Sequence, residues 1–197
     1  MASNDKAIGQ LLDEARLLRQ SGEYKKAVQA YKNALQASPE SLDALNELGL
    51  IHITIGEQPT AIEVFDKALN IDPTDARAHS NKAEAYLTIG SFGDAFTTAE
   101  RGIVVIPDDA SLWFKKGRAL ESLLKIDDAI EAFNNALRFD SDDPNIWKAL
   151  ALCLDALQKW PDVSRAYRIA ERLHRKRGEN QQADYCQRFA EIAEESI

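Results

Sequence analysis

Apolar residues recur at helical spacing along most of the chain. Spacings of i, i+3, i+4 and i+7 put one side of each segment on a single helical face. One such segment holds Leu45, Leu48, Gly49 and His52, and the next holds Ala61, Val64, Phe65 and Ala68. The apolar run 103–106 falls at the end of a helical segment, so no strand is expected. The pattern predicts ten helices, over 8–20, 24–36, 42–55, 59–70, 76–89, 93–105, 111–123, 127–138, 145–158 and 161–177.

The same residue types return every 34 positions, which predicts a repeat protein. Small residues are needed where two helices cross closely, and large apolar residues such as Trp113 and Trp147 fill the space beside them. Glycine ends helices in the left-handed conformation, and proline prevents a helix from continuing. The columns are Gly22, Gly56 and Gly90; Ala27, Ala61, Ala95 and Ala129; Tyr31, Phe65, Ala99, Phe133 and Tyr167; Pro39, Pro73 and Pro107; and Ala15, Gly49, Ala83, Gly117 and Ala151.

Helix starts also carry their usual signals. Pro59 and Pro161 stand at predicted first helical turns, where the missing amide hydrogen costs nothing. Residues of the N-cap type lie near other predicted helix starts. These residues are Ser38, Asp75, Asp109 and Asp143.

A helix–turn–helix of this length with these columns resembles the tetratricopeptide repeat. The resemblance implies an all-α fold, a right-handed α-solenoid of stacked helix–turn–helix repeats. Repeat boundaries follow at 8–41, 42–75, 76–109, 110–143 and 144–177. Residues 1–7 form an N-terminal extension in this scheme, and 178–197 form a C-terminal capping helix.

Several positions depart from the family pattern. Ala99 and Gly102 stand where a phenylalanine and an alanine are usual, so the second helix of the third repeat should pack loosely or accept a side chain from a neighbour. Leu124 replaces a turn glycine, Ser141 replaces a closing proline, and Val163 replaces a small alanine. Departures at the end of the chain are typical of a terminal repeat.

The last segment is amphipathic and predicts a helix that covers the final repeat. Its apolar stripe contains Ala183, Cys186, Phe189, Ala190 and Ala193. Repeat arrays need such a cap because the last repeat otherwise exposes an apolar face. A helix that exchanges into a neighbouring chain and forms a dimer is the alternative.

A net charge of −8 argues against a nucleic-acid partner, because phosphate binding needs an excess of lysine and arginine. Basic residues concentrate only between 165 and 177, where a solvated outer helix is favoured over an anion site. The two cysteines, Cys153 and Cys186, are interpreted as structural thiols of a reducing compartment. The sequence shows no secretory signal and no apolar stretch long enough to span a membrane, so cytoplasmic location without membrane contact is expected.

The sequence offers no constellation typical of catalysis. His52 and His79 occupy core columns, His174 belongs to the basic helix, and no histidine–cysteine cluster has metal-ligand spacing. Acid pairs such as 108–109 and 142–143 stand at helix starts, where carboxylates cap backbone amides. Phosphate-binding glycine motifs are absent. We therefore expect no enzyme activity, no metal and no cofactor.

In the family, ligand contacts come from the first helix of each repeat, on the concave surface. Leu50 and Leu87 at such positions could instead close the junction between adjacent first helices. For Phe114 the groove interpretation is favoured. A carboxylate clamp for chaperone tails is incomplete here, because only Asn81 and Lys115 fit it. The resemblance implies groove residues Asn46, Leu50, Arg77, Asn81, Glu84, Phe114, Lys115, Arg118 and Lys148.

These residues predict a non-catalytic interaction module, an adaptor or scaffold that binds a partner's peptide segment. Cations beside one large aromatic side chain, in a chain of negative net charge, favour an acidic segment. A regulatory or self-association unit, acting through the ends of the array or the C-terminal helix, is the alternative. We expect a monomer or a weak homodimer.

Overall fold

In a computed structural model of the chain, the backbone is described for residues 2–197 and the side chains for residues 9–197. This part of the chain forms eleven helices and no strand. Their bounds are α1 Ala2–Gln20, α2 Tyr24–Ala37, α3 Leu42–Thr54, α4 Gln58–Ile71, α5 Ala76–Thr88, α6 Phe92–Val105, α7 Ala110–Ser122, α8 Ile126–Phe139, α9 Pro144–Ala156, α10 Trp160–Lys176 and α11 Asn180–Glu195.

The all-α prediction is confirmed, and the predicted helix bounds agree with the observed ones within about two residues except at the N-terminus. Helix α1 begins at Ala2, well before the predicted start at residue 8. The predicted extension over 1–7 includes Met1 and side chains that lie outside the described residues. Its boundary therefore stays a prediction.

Helices pack against their near neighbours in sequence, within two compact units over residues 1–98 and 99–197. In the first unit α1 packs on α2, α2 on α3, and α3 on both α4 and α5. In the second unit α7 packs on α8 and α9, α9 on α10, and α10 on α11. The division falls inside α6, between Thr98 and Ala99, and loose packing of this helix stays a prediction.

The turns between paired helices share one left-handed residue. Gly22, Gly56 and Gly90 have φ of 77°, 82° and 77°. At the two equivalent later positions Leu124 and Gln158 take φ of 59° and 56°, a region that costs a residue with a Cβ free energy. Leu124 therefore replaces the turn glycine while the left-handed backbone conformation of the turn is retained.

Caps on the first helices also repeat. Asp75, Asp109 and Asp143 accept backbone amide hydrogen bonds at the starts of α5, α7 and α9, as predicted. Ser38 was predicted wrongly, because it ends α2 as its C-cap residue. Ser41 caps α3 instead, with its Oγ 3.3 Å from the amide nitrogen of Ala44.

The predicted large residues lie inside the helix pairs. Phe65 and Phe133 are fully buried, and their rings pack directly on Gly49 and Gly117 respectively. Trp113 Nε1 donates to the carbonyl oxygen of Pro107 at 2.8 Å, so this ring fixes the loop that enters its own helix. Trp113 itself is half-buried, with its ring N–H satisfied.

Helix α11 lies on α10 through the stripe predicted from the sequence. Ala183, Cys186 and Ala190 are completely buried, and the Phe189 ring lies 5.6 Å from the ring of Tyr167. Polar links flank this contact: Arg168 Nη2 binds Glu194 Oε2 at 2.9 Å. The helix covers α10, while its role as a stability cap stays a prediction.

The basic residues after position 165 are used within the fold. Arg175 Nη2 binds Gln187 Oε1 at 2.7 Å and Asp184 Oδ1 at 3.1 Å, both on α11. Arg177 donates to the carbonyl of Asp142 at 2.7 Å. His174 is buried, with Nδ1 2.5 Å from Glu179 Oε2. Most of the basic side chains of this segment are exposed, as predicted for a solvated outer helix, and some of them also join α10 to α11 and to the start of α9.

Candidate peptide-binding surface

A groove of about 370 Å³ lies between α7 and α9 in the second unit. One wall comes from α7 and the other from α9, both first helices of predicted repeats. Three of the nine groove residues predicted from the sequence line it, namely Phe114, Arg118 and Lys148. The remaining lining residues are Glu121, Asn145, Ala149 and Leu152.

Phe114 is the aromatic centre of this wall. Its ring lies 5.8 Å from the buried ring of Phe133, which fixes its position. Lys115 Nζ lies 5.6 Å and the Arg118 guanidinium 6.0 Å from the Phe114 ring centroid. Cations at this distance from an aromatic ring are attracted by its quadrupole, whose negative region lies over the ring face. The structure thus brings together Phe114, Lys115 and Arg118 on one helix.

The opposite wall combines a cation with apolar surface. Lys148 Nζ lies 5.8 Å from the ring centroid of Tyr185 on α11. Leu152, one turn further along α9, keeps 39% of its surface exposed. Sequence reasoning did not predict this contact of Lys148 with Tyr185, which is not itself a lining residue. The signal available in the sequence was the spacing of Tyr185, which lies one helical turn before Phe189 of the apolar stripe.

Glu121 supplies the acidic group of the groove. Burial raises the pKa of this carboxyl, and the nearby Arg118 guanidinium partly opposes that shift. The negative form of Glu121 is thus poorly solvated, and it opposes the charge of the two cations. Burial also raises the pKa of the Cys153 thiol to about 12, with a smaller contribution from Glu121. This thiol stays protonated and unreactive at neutral pH.

In the first unit the corresponding first helices are joined by ion pairs. Asp43 on α3 lies 2.6 Å from Arg77 Nη2 on α5 and 3.9 Å from Arg16 Nη2 on α1. Arg19 Nε and Glu47 Oε2 are 3.0 Å apart. The charge of Arg77 is therefore balanced by Asp43, and neighbouring first helices are linked by opposite charges.

Asn46 has an internal role in the structure. Its side chain is 2% exposed, and Nδ2 donates to Asp75 Oδ2 at 2.6 Å and to the Leu42 carbonyl at 3.1 Å. Asp75 in turn accepts from the amides of Arg77 and Ala78. One amide thus ties α3 to the cap of α5. Whether Asn46 also contacts a ligand stays a prediction.

The other predicted residues of the first unit are partly exposed. Leu50, Asn81 and Glu84 have intermediate exposure, whereas Leu87 is buried. Burial of Leu87 agrees with the alternative interpretation that it closes a junction between helices. A ligand contact of Leu50, Asn81 or Glu84 stays a prediction.

No group of three or more histidine, cysteine, aspartate or glutamate residues in the described part of the chain could hold a metal ion.

Within residues 2–197, no helix is both long and apolar enough to cross a bilayer.

Paired helices joined by a left-handed turn, repeating every 34 residues, define the class of helix-pair repeat proteins. The model of the tetratricopeptide-repeat family matches residues 12–76 and 114–162, which is more than half of the chain. The chain therefore belongs to the tetratricopeptide-repeat family. No curated protein is significantly similar to it in sequence.

Solved structures of tetratricopeptide-repeat proteins share this fold. A thermophilic protein of the family from Thermus thermophilus has a TM-score of 0.76 at 20% identity, with 91% of this chain and 98% of that chain covered. PilF of Pseudomonas aeruginosa has a TM-score of 0.73 at 20% identity, covering 93% and 90%. MamA from Desulfovibrio magneticus RS-1 has a TM-score of 0.69 at 20% identity, covering 86% and 96%.

Tetratricopeptide-repeat proteins in general bind protein partners, and the family is typically non-catalytic. The fold of this chain therefore supports an interaction scaffold. At these identities the solved structures show the fold alone.

Proposed function

We propose that this protein is a non-catalytic adaptor that binds an acidic peptide segment of a partner in the α7–α9 groove. The groove combines a partly exposed aromatic ring with cations on both walls, and this combination carries the proposal. Cytoplasmic location remains part of the proposal.

Apolar contact supplies the affinity of such a site. Phe114 and Leu152 offer surface on opposite walls, and Asn145 offers an amide for a peptide backbone group. Aromatic and arginine anchors usually dominate interface energies, and losing one costs on the order of 1–3 kcal/mol.

Charge supplies the selectivity. Arg118 on α7 and Lys148 on α9 attract carboxylates, while the chain as a whole carries a net charge of −8. The proposal rests on the second unit because Phe114, Arg118 and Lys148 line one groove there.

Fluorescence anisotropy with a labelled peptide of alternating glutamate and leucine tests the groove. The double change Phe114→Ala with Lys115→Glu should weaken binding at least tenfold. Because Phe114 also contacts Phe133, a second pair, Arg118→Glu with Lys148→Glu, tests charge without removing the ring. Circular dichroism should show unchanged helicity for the second pair.

Arg172→Glu with Lys176→Glu is the matched control, since both residues are exposed on α10 and the charge change is equal. Arg175 is unsuited to this purpose, because it binds Asp184 and Gln187. If the control pair weakens binding as much as the groove pair, general attraction explains the affinity and the groove proposal fails.

A second candidate is self-association through α11. Tyr185, Phe189 and Ile192 follow one another at helical spacing, and Ile192 is 51% exposed. An exposed apolar stripe can join two copies of a chain. Light scattering coupled to size-exclusion chromatography tests this idea: a dimer that dissociates in Ile192→Lys would support it, and a monomeric wild type would exclude it.

A further inference from the structure

One position of the 34-residue register carries a ring with an N–H group in the last three predicted repeats and a leucine, Leu11 or Leu45, in the first two. Trp113 Nε1 donates to the Pro107 carbonyl and Trp147 Nε1 to the Ser141 carbonyl, both at 2.8 Å. His79 Nε2 makes the same bond to the Pro73 carbonyl at 2.9 Å. Leu45 is the equivalent residue of the predicted second repeat, and its side chain has no N–H to offer the carbonyl of Pro39.

The space around this position differs accordingly. A groove of about 530 Å³ lies beside Leu45, between α2, α3 and α4. The equivalent groove beside Trp147, between α8, α9 and α10, measures about 280 Å³. The two grooves are built from corresponding residues, such as Leu48 and Leu150 at the base. The larger groove is therefore the one in which the register position carries leucine in place of tryptophan.

The walls of the larger groove suit an aromatic ring. Leu35 and Val64 provide apolar sides, and His52 stands at the position of Leu154 in the other groove. His52 is held in place because its Nδ1 lies 2.7 Å from Glu57 Oε2. A ring that enters here meets surface already fixed by the fold, which lowers the entropic cost of binding.

The rim favours negative charge next to that ring. Lys32 on α2 and Lys67 on α4 are exposed, and Glu63 is the single acid of the lining. The smaller groove has Asn134 at the position of Lys32. The excess of positive charge thus belongs to the groove that lacks its own tryptophan.

We propose that the groove beside Leu45 binds a tryptophan side chain of a partner polypeptide, flanked by acidic residues. The indole takes the place that Trp147 occupies in its own repeat and donates its N–H to the Pro39 carbonyl. This site lies wholly in residues 32–67 and is independent of the α7–α9 groove.

Isothermal titration calorimetry and amide chemical shifts test the site with a blocked pentapeptide, Glu-Asp-Trp-Asp-Glu. Calorimetry is preferred to intrinsic fluorescence because the chain's own tryptophans would contribute to the fluorescence signal. We expect shifts in α2, α3 and α4, and at least tenfold weaker binding of the analogue with leucine in place of tryptophan. The 1-methyltryptophan analogue should bind about fivefold more weakly, because it lacks the N–H.

Leu45→Trp should fill the groove from within, raise the melting temperature and abolish peptide binding. Lys32→Glu should weaken binding at least threefold, and Lys25→Glu, an exposed change on the same helix, should leave it unchanged. This lysine pair decides the question even if Leu45→Trp fails to fold.

Any of three results would overturn the proposal. These are no binding to the wild type, equal affinity for the tryptophan and leucine peptides, or shifts confined to α7 and α9. Equal affinity for the tryptophan and 1-methyltryptophan peptides would show that the Pro39 carbonyl accepts no hydrogen bond from the indole.

Discussion

The ring of Phe133 occupies the space that a Cβ on Gly117 would need, since Phe133 Cε1 lies 2.5 Å from that position. Phe65 stands in the same relation to Gly49. The corresponding pairs of the first and fifth predicted repeats combine alanine with tyrosine, Ala15 with Tyr31 and Ala151 with Tyr167. In the two glycine–phenylalanine pairs the ring, as it is placed, leaves no room for a Cβ on the glycine.

Gly117→Ala should destabilise the protein by about 1–3 kcal/mol, the usual cost of overpacking a core. Urea unfolding measures the change. Phe133→Leu in the same chain should recover part of the loss by clearing the space. An unchanged midpoint in Gly117→Ala would show that the two helices separate without strain. Gly93→Ala is a suitable comparison, because a Cβ there meets nothing within 4 Å.

Leu124→Gly should stabilise the protein by about 1 kcal/mol, because glycine adopts the left-handed conformation without a steric cost. Leu124 has φ of 59° and is 84% exposed, so little packing is lost. Thermal unfolding measures the gain. The reverse change Gly56→Leu, at an equivalent turn with φ of 82°, should destabilise. A lower melting temperature for Leu124→Gly would mean that the leucine makes a contact worth more than the strain.

Asn46→Ala should destabilise the protein by about 1–3 kcal/mol, since it leaves the buried Asp75 carboxylate without the Nδ2 donor. Chemical denaturation gives this value. Asn81→Ala, on the next first helix and partly exposed, is the control and should cost less. Equal stability of Asn46→Ala and wild type would show that water replaces the amide.

Deleting residues 179–197 should lower both solubility and melting temperature, because the apolar side of α10 loses its cover. Tyr167 would lose its contact with Phe189, and Arg168 would lose Glu194. Differential scanning fluorimetry and sedimentation measure these effects. A truncated protein as stable and soluble as the whole chain would show that α11 is no cap.

Glu121→Gln should strengthen binding of the glutamate–leucine peptide several-fold, because it removes the negative charge that opposes Arg118 and Lys148. Burial raises the folded-state pKa of Glu121 above its unfolded value, so ionisation of this group opposes folding. The favourable contribution of the protonated form is present at low pH and is lost as pH rises through the folded pKa. Glu121→Gln should therefore be more stable than wild type at neutral pH, with the difference shrinking in acid. A pH series of urea midpoints checks the sign.

Sequence periodicity predicted the helix pairs because each helix is specified by local signals. Gly56 with its left-handed φ and Pro59 in the first turn of α4 act within a few residues. The side-chain links between helices were harder to predict. Asn46 and Asp75 are 29 positions apart and meet only once α3 and α5 are packed. The family pattern identified Phe114, Arg118 and Lys148 of the groove, whereas the contact of Lys148 with Tyr185 depends on how α11 lies.

Every helix pair described in contact joins elements that are adjacent or next but one along the chain. Contacts of this kind close short loops, so little chain entropy is lost before each contact forms. Proteins with such low contact order fold in microseconds to milliseconds, far faster than proteins built on long-range strand pairing. Each helix can therefore begin to pack as soon as its neighbours along the chain have left the ribosome, without waiting for residues far away in sequence.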